Sequence, residues 1–238
     1  MVECRQMNQT IQDILNIMKI SPGQAEEVSA DIRIIKAQTP AFLERDKQTG
    51  KAYIRFQHKG KIYRTVLRGK HQALNAAFCI EVARRLGVQP DVVEKALVTI
   101  PLDGRFETIR KSPQVIFDIV QSAEDMKNFA NCACDYFGRE VQNSMRTPTN
   151  VRPEPFRRLI IADVFYPDLV KVKQGTTIIF TDAQMQRDYL ALYNKQVKTL
   201  VMPIETAINY AVTNYPTHKI FIIGAQGLFE KAKKLVAS

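Results

Sequence analysis

KIFIIGAQGLFEKAKKLV, Lys219 to Val236, is the stretch on which the fold class turns. Lys219 to Ile223 is a short, continuous apolar run with no polar face, the pattern of a strand buried on both sides. A glycine turn follows, and Gly227 to Val236 reads as a helix. The same alternation extends upstream. Further apolar runs occupy Gln114 to Ile119, Arg158 to Val164, Thr176 to Phe180 and Lys198 to Met202. Helical stretches fall at about Ala123 to Phe137, Ala183 to Lys195 and Ile204 to Asn214. Doubly buried strands alternating with helices predict a mostly parallel sheet in a Rossmann-like, three-layer α/β domain over residues 101–238. The polar, proline-bearing stretch Arg139 to Pro155 reads as its mobile loop.

Before Pro101 the texture differs, and residues 1–100 read as a small α+β lobe. Ile11, Ile14, Leu15 and Met18 give Gln9 to Met18 a helical spacing, stopped by Ser21-Pro22-Gly23. Asp31 to Ala37 is strand-like. Ala52 to Gln57 and Lys61 to Leu67 flank His58-Lys59-Gly60 as a β-hairpin. Gly69 turns the chain into a helix on which Leu74, Phe78, Val82 and Leu86 step by four, with Gly87 as its cap. A second helix spans Pro90 to Leu97, with proline in its tolerated first-turn position.

Composition narrows the classes. No apolar run approaches the roughly 20 residues that span a bilayer, and no basic-then-apolar leader opens the chain, so a cytoplasmic protein is expected. The four cysteines and three histidines fall in no zinc or redox spacing, which predicts reduced thiols and no metal site made by this chain. Lys and Arg number 34 against 24 Asp and Glu, a net charge of +10. The basic residues are scattered in ones and twos with no interleaved aromatics. A solvated surface is therefore expected, with nucleic-acid binding the lesser alternative.

Four residues stand out as candidate ligand contacts. Gln72 and Asn75 lie one turn apart near a helix start and face one side. Their amides suit the edge of a purine, or else capping and hydrogen bonds to neighbouring loops. Arg105 follows a glycine and can clamp a phosphate, or serve as an interdomain salt-bridge residue. Asp118 ends the first apolar run, where open α/β sheets bind ligands and a carboxylate can accept from ribose hydroxyls.

Taken in order, Gly69, His71, Gln72, Asn75, Ala76, Ala77, Leu86 and Gly87, then Gly104 to Glu107, then Pro113 and Asp118, form a series that resembles folylpolyglutamate synthase and the wider Mur ligase family. The ending from Lys219 to Val236 resembles that family's last strand, glycine turn and closing helix. The resemblance is to about the second half of such a ligase. It implies an ATP-dependent carboxylate–amine ligase fold, in which ATP phosphorylates a carboxylate and an amine then attacks the acyl phosphate. Residue by residue it implies adenine contact by Asn75 beside Gln72, phosphate contact by Arg105 and ribose contact by Asp118.

The departures shape the expected function. No GxxxxGK[ST] loop occurs in the 238 residues, and the resemblance would place the phosphate-loop half before Met1. The family's Asp-Gly-Ala-His-Asn turn is here Asp118-Ile119-Val120-Gln121-Ser122, whose two apolar residues are expected to crowd a ligand. The expectation is a truncated, ligase-like protein with no catalytic residues of its own and only weak ATP binding, acting through binding or association. The alternatives are one subunit of a split ligase and a basic nucleic-acid module. Because the Asn75 helix is apolar around much of its circumference, a homodimer or partner chain is expected to bury residues 1–100.

Overall fold

The computed structural model describes residues 41–45, 52–144, 158–167, 169, 176–192 and 197–237. The helix expected at Gln9 to Met18 and the strand at Asp31 to Ala37 lie outside these residues. The chain divides into two compact units, residues 1–103 and 104–238.

The first unit holds a three-stranded antiparallel sheet in the order β1 (Ala41–Arg45), β2 (Ala52–His58), β3 (Lys61–Thr65). β2 and β3 form the expected hairpin, with His58 opposite Lys61. Lys59 and Gly60 both have positive φ, 45° and 79°, as a tight two-residue hairpin turn requires. The pleat sends Ile54 and Phe56 inward, where they meet Ala73, Ala76, Ala77, Ile80 and Ala83 of α1 (Lys70–Arg85). Four small alanines on that face let helix and sheet approach closely. Gly87, at φ 73°, ends α1 in a Schellman arrangement. Val88 N–H donates to Ala83 O at 2.9 Å and Gly87 N–H to Arg84 O at 3.2 Å. α2 (Pro90–Thr99) adds Val93 to the same core.

An ion cluster around the buried Glu81 carboxylate fixes the turn end of the hairpin to α1. His58 Nε2 lies 2.8 Å from Glu81 Oε1, and Lys59 Nζ donates to Glu81 Oε2 at 2.6 Å. Arg84 Nη2 adds a third contact, to Oε2, at 3.0 Å. Burial alone pushes the Glu81 carboxyl up; the hydrogen bonds from Lys59, His58 and Arg84 outweigh it and bring the pKa down to about 2.

The second unit is a six-stranded sheet in the order β4 (Glu107–Lys111), β5 (Gln114–Ile119), β9 (Lys219–Gly224), β6 (Arg158–Ala162), β7 (Thr176–Phe180), β8 (Lys198–Val201). Only β4 runs antiparallel, against β5; the other neighbours are parallel. Alternation along the strands builds two cores. Ile116, Ile160, Ile178 and Phe221 pack under α3 (Ala123–Ser144) and α4 (Ala183–Leu192) through Met126, Phe129 and Tyr189. Phe117, Ile161, Ile179 and Ile222 pack under α5 (Ile204–Asn214) and α6 (Gln226–Ala237) through Ile208, Leu228 and Phe229. This is the three-layer α/β arrangement expected from the apolar runs.

The expected loop at Arg139 to Pro155 is corrected in its first part, because α3 continues to Ser144. The polar residues there are compatible with a helix, and polarity alone does not end one. The remainder of that stretch lies outside the described residues. Cys79 and Cys132 are buried free thiols, and burial pushes the Cys79 thiol up. Among the described residues, no helix is long and apolar enough to cross a membrane.

Candidate functional site

α1 begins at Gly69, whose φ of 94° favours glycine, and no side chain caps it. Gln72 and Asn75 are both buried, at 3% and 9% exposure. Asn75 Nδ2 donates to Gln72 Oε1 at 3.0 Å. Two buried amides one turn apart thus satisfy half of each other's polar capacity. Among the described residues they serve neither as caps nor as ties to loops. The pair keeps Asn75 Oδ1 as an acceptor and Gln72 Nε2 as a donor, the complement that an adenine edge presents.

In the second unit, Gly104 to Glu107 form a turn clamped on the end of β5. Gly104 and Phe106 both have positive φ, 69° and 49°. That conformation delivers Phe106 N–H to Asp118 Oδ1 at 2.9 Å, while Gly104 O accepts from Ile119 N–H at 2.8 Å. Glycine is required at 104 on steric grounds as well: a Cβ there would lie 2.6 Å from Ile119 Cδ1. Arg105 is folded back, with Nη1 donating to Ile119 O at 3.1 Å and standing 3.9 Å from Asp125 Oδ1. Its side chain is 11% exposed. The enclosed Nε makes no hydrogen bond among the described residues.

Asp118 is the one carboxyl in this turn driven strongly upward. Burial raises its pKa to about 7, against the Phe106 N–H and the Arg105 charge; nearby Asp125 adds to the rise. At neutral pH the group can therefore donate to or accept from a ligand hydroxyl. The start of α3 is already supplied with acceptors. Ser122 Oγ takes Asp125 N–H at 3.0 Å, and Asp125 Oδ2 takes Gln121 N–H at 3.1 Å. Ile119 and Val120, expected to crowd a ligand, both turn into cores. Ile119 is buried in the core under α5 and α6, and Val120 in the opposite core.

The strand order adds a residue that spacing does not single out. β9 lies between β5 and β6, so the carboxyl ends of β5 and β6 flank Ile223 and Gly224. Asp118 is in register with Ile223, and Asp163 N–H donates to Ile223 O at 2.9 Å. Thr181 Oγ1 donates to Asp163 Oδ1 at 2.7 Å. Such a reversal of strand order opens a crevice where α/β sheets hold ligands. A lone Asp after an apolar run carries no motif, so only the topology finds it. No group of three or more His, Cys, Asp and Glu side chains that could hold a metal occurs among the described residues.

For adenosine triphosphate, the group that the sequence resemblance implies, the fit is partial. In the first unit the amide pair offers contacts suited to a base; in the second, separately, the enclosed Arg105 Nε offers one suited to an anion. Part of the Arg105 and Asp118 capacity, however, is taken up: one guanidinium N–H donates to Ile119 O, and one carboxyl oxygen accepts from Phe106 N–H.

No protein-family model and no curated protein matches the sequence. Solved structures do match the fold. UDP-N-acetylmuramate–alanine ligase from Thermotoga maritima has a TM-score of 0.55 at 16% identity, covering 78% of this chain and 42% of its own. The apo form of the L. casei folylpolyglutamate synthase gives 0.57 at 13% identity, over 84% of this chain and 45% of its own. The Mycobacterium tuberculosis folylpolyglutamate synthase, solved with ADP and AMPPCP, gives 0.54 at 16% identity, over 84% and 48%. The chain thus spans under half the length of these ligases, and what it shares with the Mur ligases and folylpolyglutamate synthases is their fold, including that of the Mur ligase C-terminal domain.

Proposed function

We propose that this chain is a ligase-fold protein that binds an adenine nucleotide weakly and performs no amide ligation by itself, acting through binding or association in the cytoplasm. The observation that carries the reading is the state of the two resembled contacts in the second unit. Arg105 is folded back with one N–H on Ile119 O, and Asp118 is held by Phe106 N–H, its carboxyl pushed up to about 7 by burial. Groups partly engaged in their own turn offer a ligand fewer contacts than free ones would. Following the resemblance, and each within its own unit, Asn75 and Gln72 are proposed as adenine contacts in the first, and Arg105 through Nε as a phosphate contact and Asp118 as a ribose contact in the second.

ATP would activate a carboxylate as an acyl phosphate for attack by an amine. That chemistry needs the β- and γ-phosphates and their Mg²⁺ held in place, and no GxxxxGK[ST] segment occurs in these 238 residues. Preorganised phosphate and metal contacts are worth several kcal/mol of transition-state binding. The test is direct: purified chain incubated with ATP, Mg²⁺, a folate and glutamate is expected to form no amide. Turnover above the no-enzyme background would reject the reading.

A second reading, that another chain supplies the phosphate loop, is favoured by one observation. Arg105 Nε is an enclosed donor without a hydrogen-bond acceptor among the described residues, which an incoming phosphate would satisfy. Association, with itself or with such a partner, is proposed through residues 1–100, where Val92 is 53% exposed. Co-purification of a phosphate-loop protein whose addition restores turnover would establish this second reading.

A further inference from the structure

The outer face of the three-stranded sheet carries a charge arrangement that nothing in the nucleotide reading uses. Along β2, Ile54 and Phe56 point into the core, so Arg55 points out and is exposed. Its direct cross-strand partner on β3 is Arg64. Like charges directly opposite on one face of a sheet destabilise it. One carboxylate offsets the pair: Glu44 Oε1 accepts from Arg64 Nη2 at 2.9 Å. On α2, Glu94 is likewise engaged, by Lys61. The Arg55 guanidinium and the Lys95 ammonium make no ion pair among the described residues.

These residues line one groove of about 820 Å³, with Ile62, 51% exposed, as an apolar wall. The size is that of a small-molecule site. Each carboxylate in the groove already holds one cation, Glu44 through Oε1 with Oε2 unbonded, and two further cations make no ion pair among the described residues. An occupant carrying two negative charges and an apolar body would balance them. A guanidinium fork matches phosphate oxygens two at a time, and Lys95 would act as a point charge on the same group. We propose that this groove binds a small organic phosphate monoester, its phosphate between Arg55 and Lys95 and its apolar part against Ile62. None of Gln72, Asn75, Arg105 and Asp118 takes part.

Phenyl phosphate is the probe, titrated calorimetrically into the full chain at low salt and pH 7.5. Saturable binding is expected, and benzyl alcohol, which lacks the charge, should not bind. Arg55→Gln should weaken phenyl phosphate about tenfold or more, the effect of losing one charge-assisted contact. Lys95→Gln should weaken it severalfold. Both side chains are solvent-facing, so the variants should melt like the parent; Arg55→Gln, relieved of a like-charge neighbour, should melt no lower. No saturation by roughly 10 mM, equal binding of benzyl alcohol, or unchanged affinity in both variants would overturn the proposal.

Discussion

Replacing Asp118 by Asn isolates the consequence of putting a carboxyl in the clamp of the Gly104 to Glu107 turn. The amide keeps an oxygen for Phe106 N–H, so the 2.9 Å bond survives, but it has no proton to lose. In the parent, burial raises the folded pKa to about 7 from 3.8. The folded protein then holds a proton that the unfolded chain has released, and parent stability falls as pH rises from about 4 through 7. A pKa difference of one between the folded and unfolded chain is worth about 1.4 kcal/mol, which sets a ceiling near 4 kcal/mol. Because Asp118 is only half-buried as a residue, solvent screening reduces this, and about 1–2 kcal/mol should develop between pH 5 and pH 8.5. Asp118→Asn should therefore stabilise the protein more at pH 8.5 than at pH 5 by that amount. For a chain of this length this is about 3–6 °C of extra gain in Tm, read by circular dichroism melts at the two pH values. An equal effect at both pH values, or a loss confined to pH 8.5, would refute the assignment of a buried, proton-holding carboxyl.

Three other perturbations have definite expected outcomes. Glu81→Gln removes the anion shared by His58, Lys59 and Arg84. Its folded pKa is depressed to about 2, so its stabilisation is present above 4.5 and is lost as pH falls through about 2. A cost of about 1–3 kcal/mol at pH 7 that shrinks in acid is expected in urea titrations. Gly104→Ala should cost about 2–3 kcal/mol, from the left-handed backbone and the overlap with Ile119 Cδ1, and a chevron or melt that leaves stability unchanged would rule out that turn. Phe78→Glu should unfold the first unit rather than split a dimer, because Phe78 is 4% exposed within the single chain. Light scattering and circular dichroism on the variant separate those results.

The parts of the fold that were legible in the sequence are those where burial leaves no polar face. β5, β6, β7 and β9 each present apolar side chains to both cores, so their residues read as continuous runs. β4 was not legible. Its sequence Glu-Thr-Ile-Arg-Lys is that of a half-exposed edge strand, and only pairing with β5 makes it one. β1 was hidden for the same reason, as a short edge strand. At the site, Gln72 and Asn75 were legible because three residues along a helix is a fixed geometry. The amide–amide bond between them was not, since spacing does not say where a side chain turns. The Asp118 clamp depends on the positive φ of Phe106, a conformation that phenylalanine rarely adopts and that no propensity predicts. Asp163 became visible only with the strand order.

The most direct measurement of the central claim is a calorimetric titration of Mg-ATP into the purified chain at neutral pH, repeated with Asn75→Ala and Arg105→Ala. A few kcal/mol of contacts to base and sugar correspond to roughly millimolar affinity, so the account predicts a dissociation constant near or above about 1 mM, weakened further by either variant. Tight binding at a few micromolar by the isolated chain would contradict it.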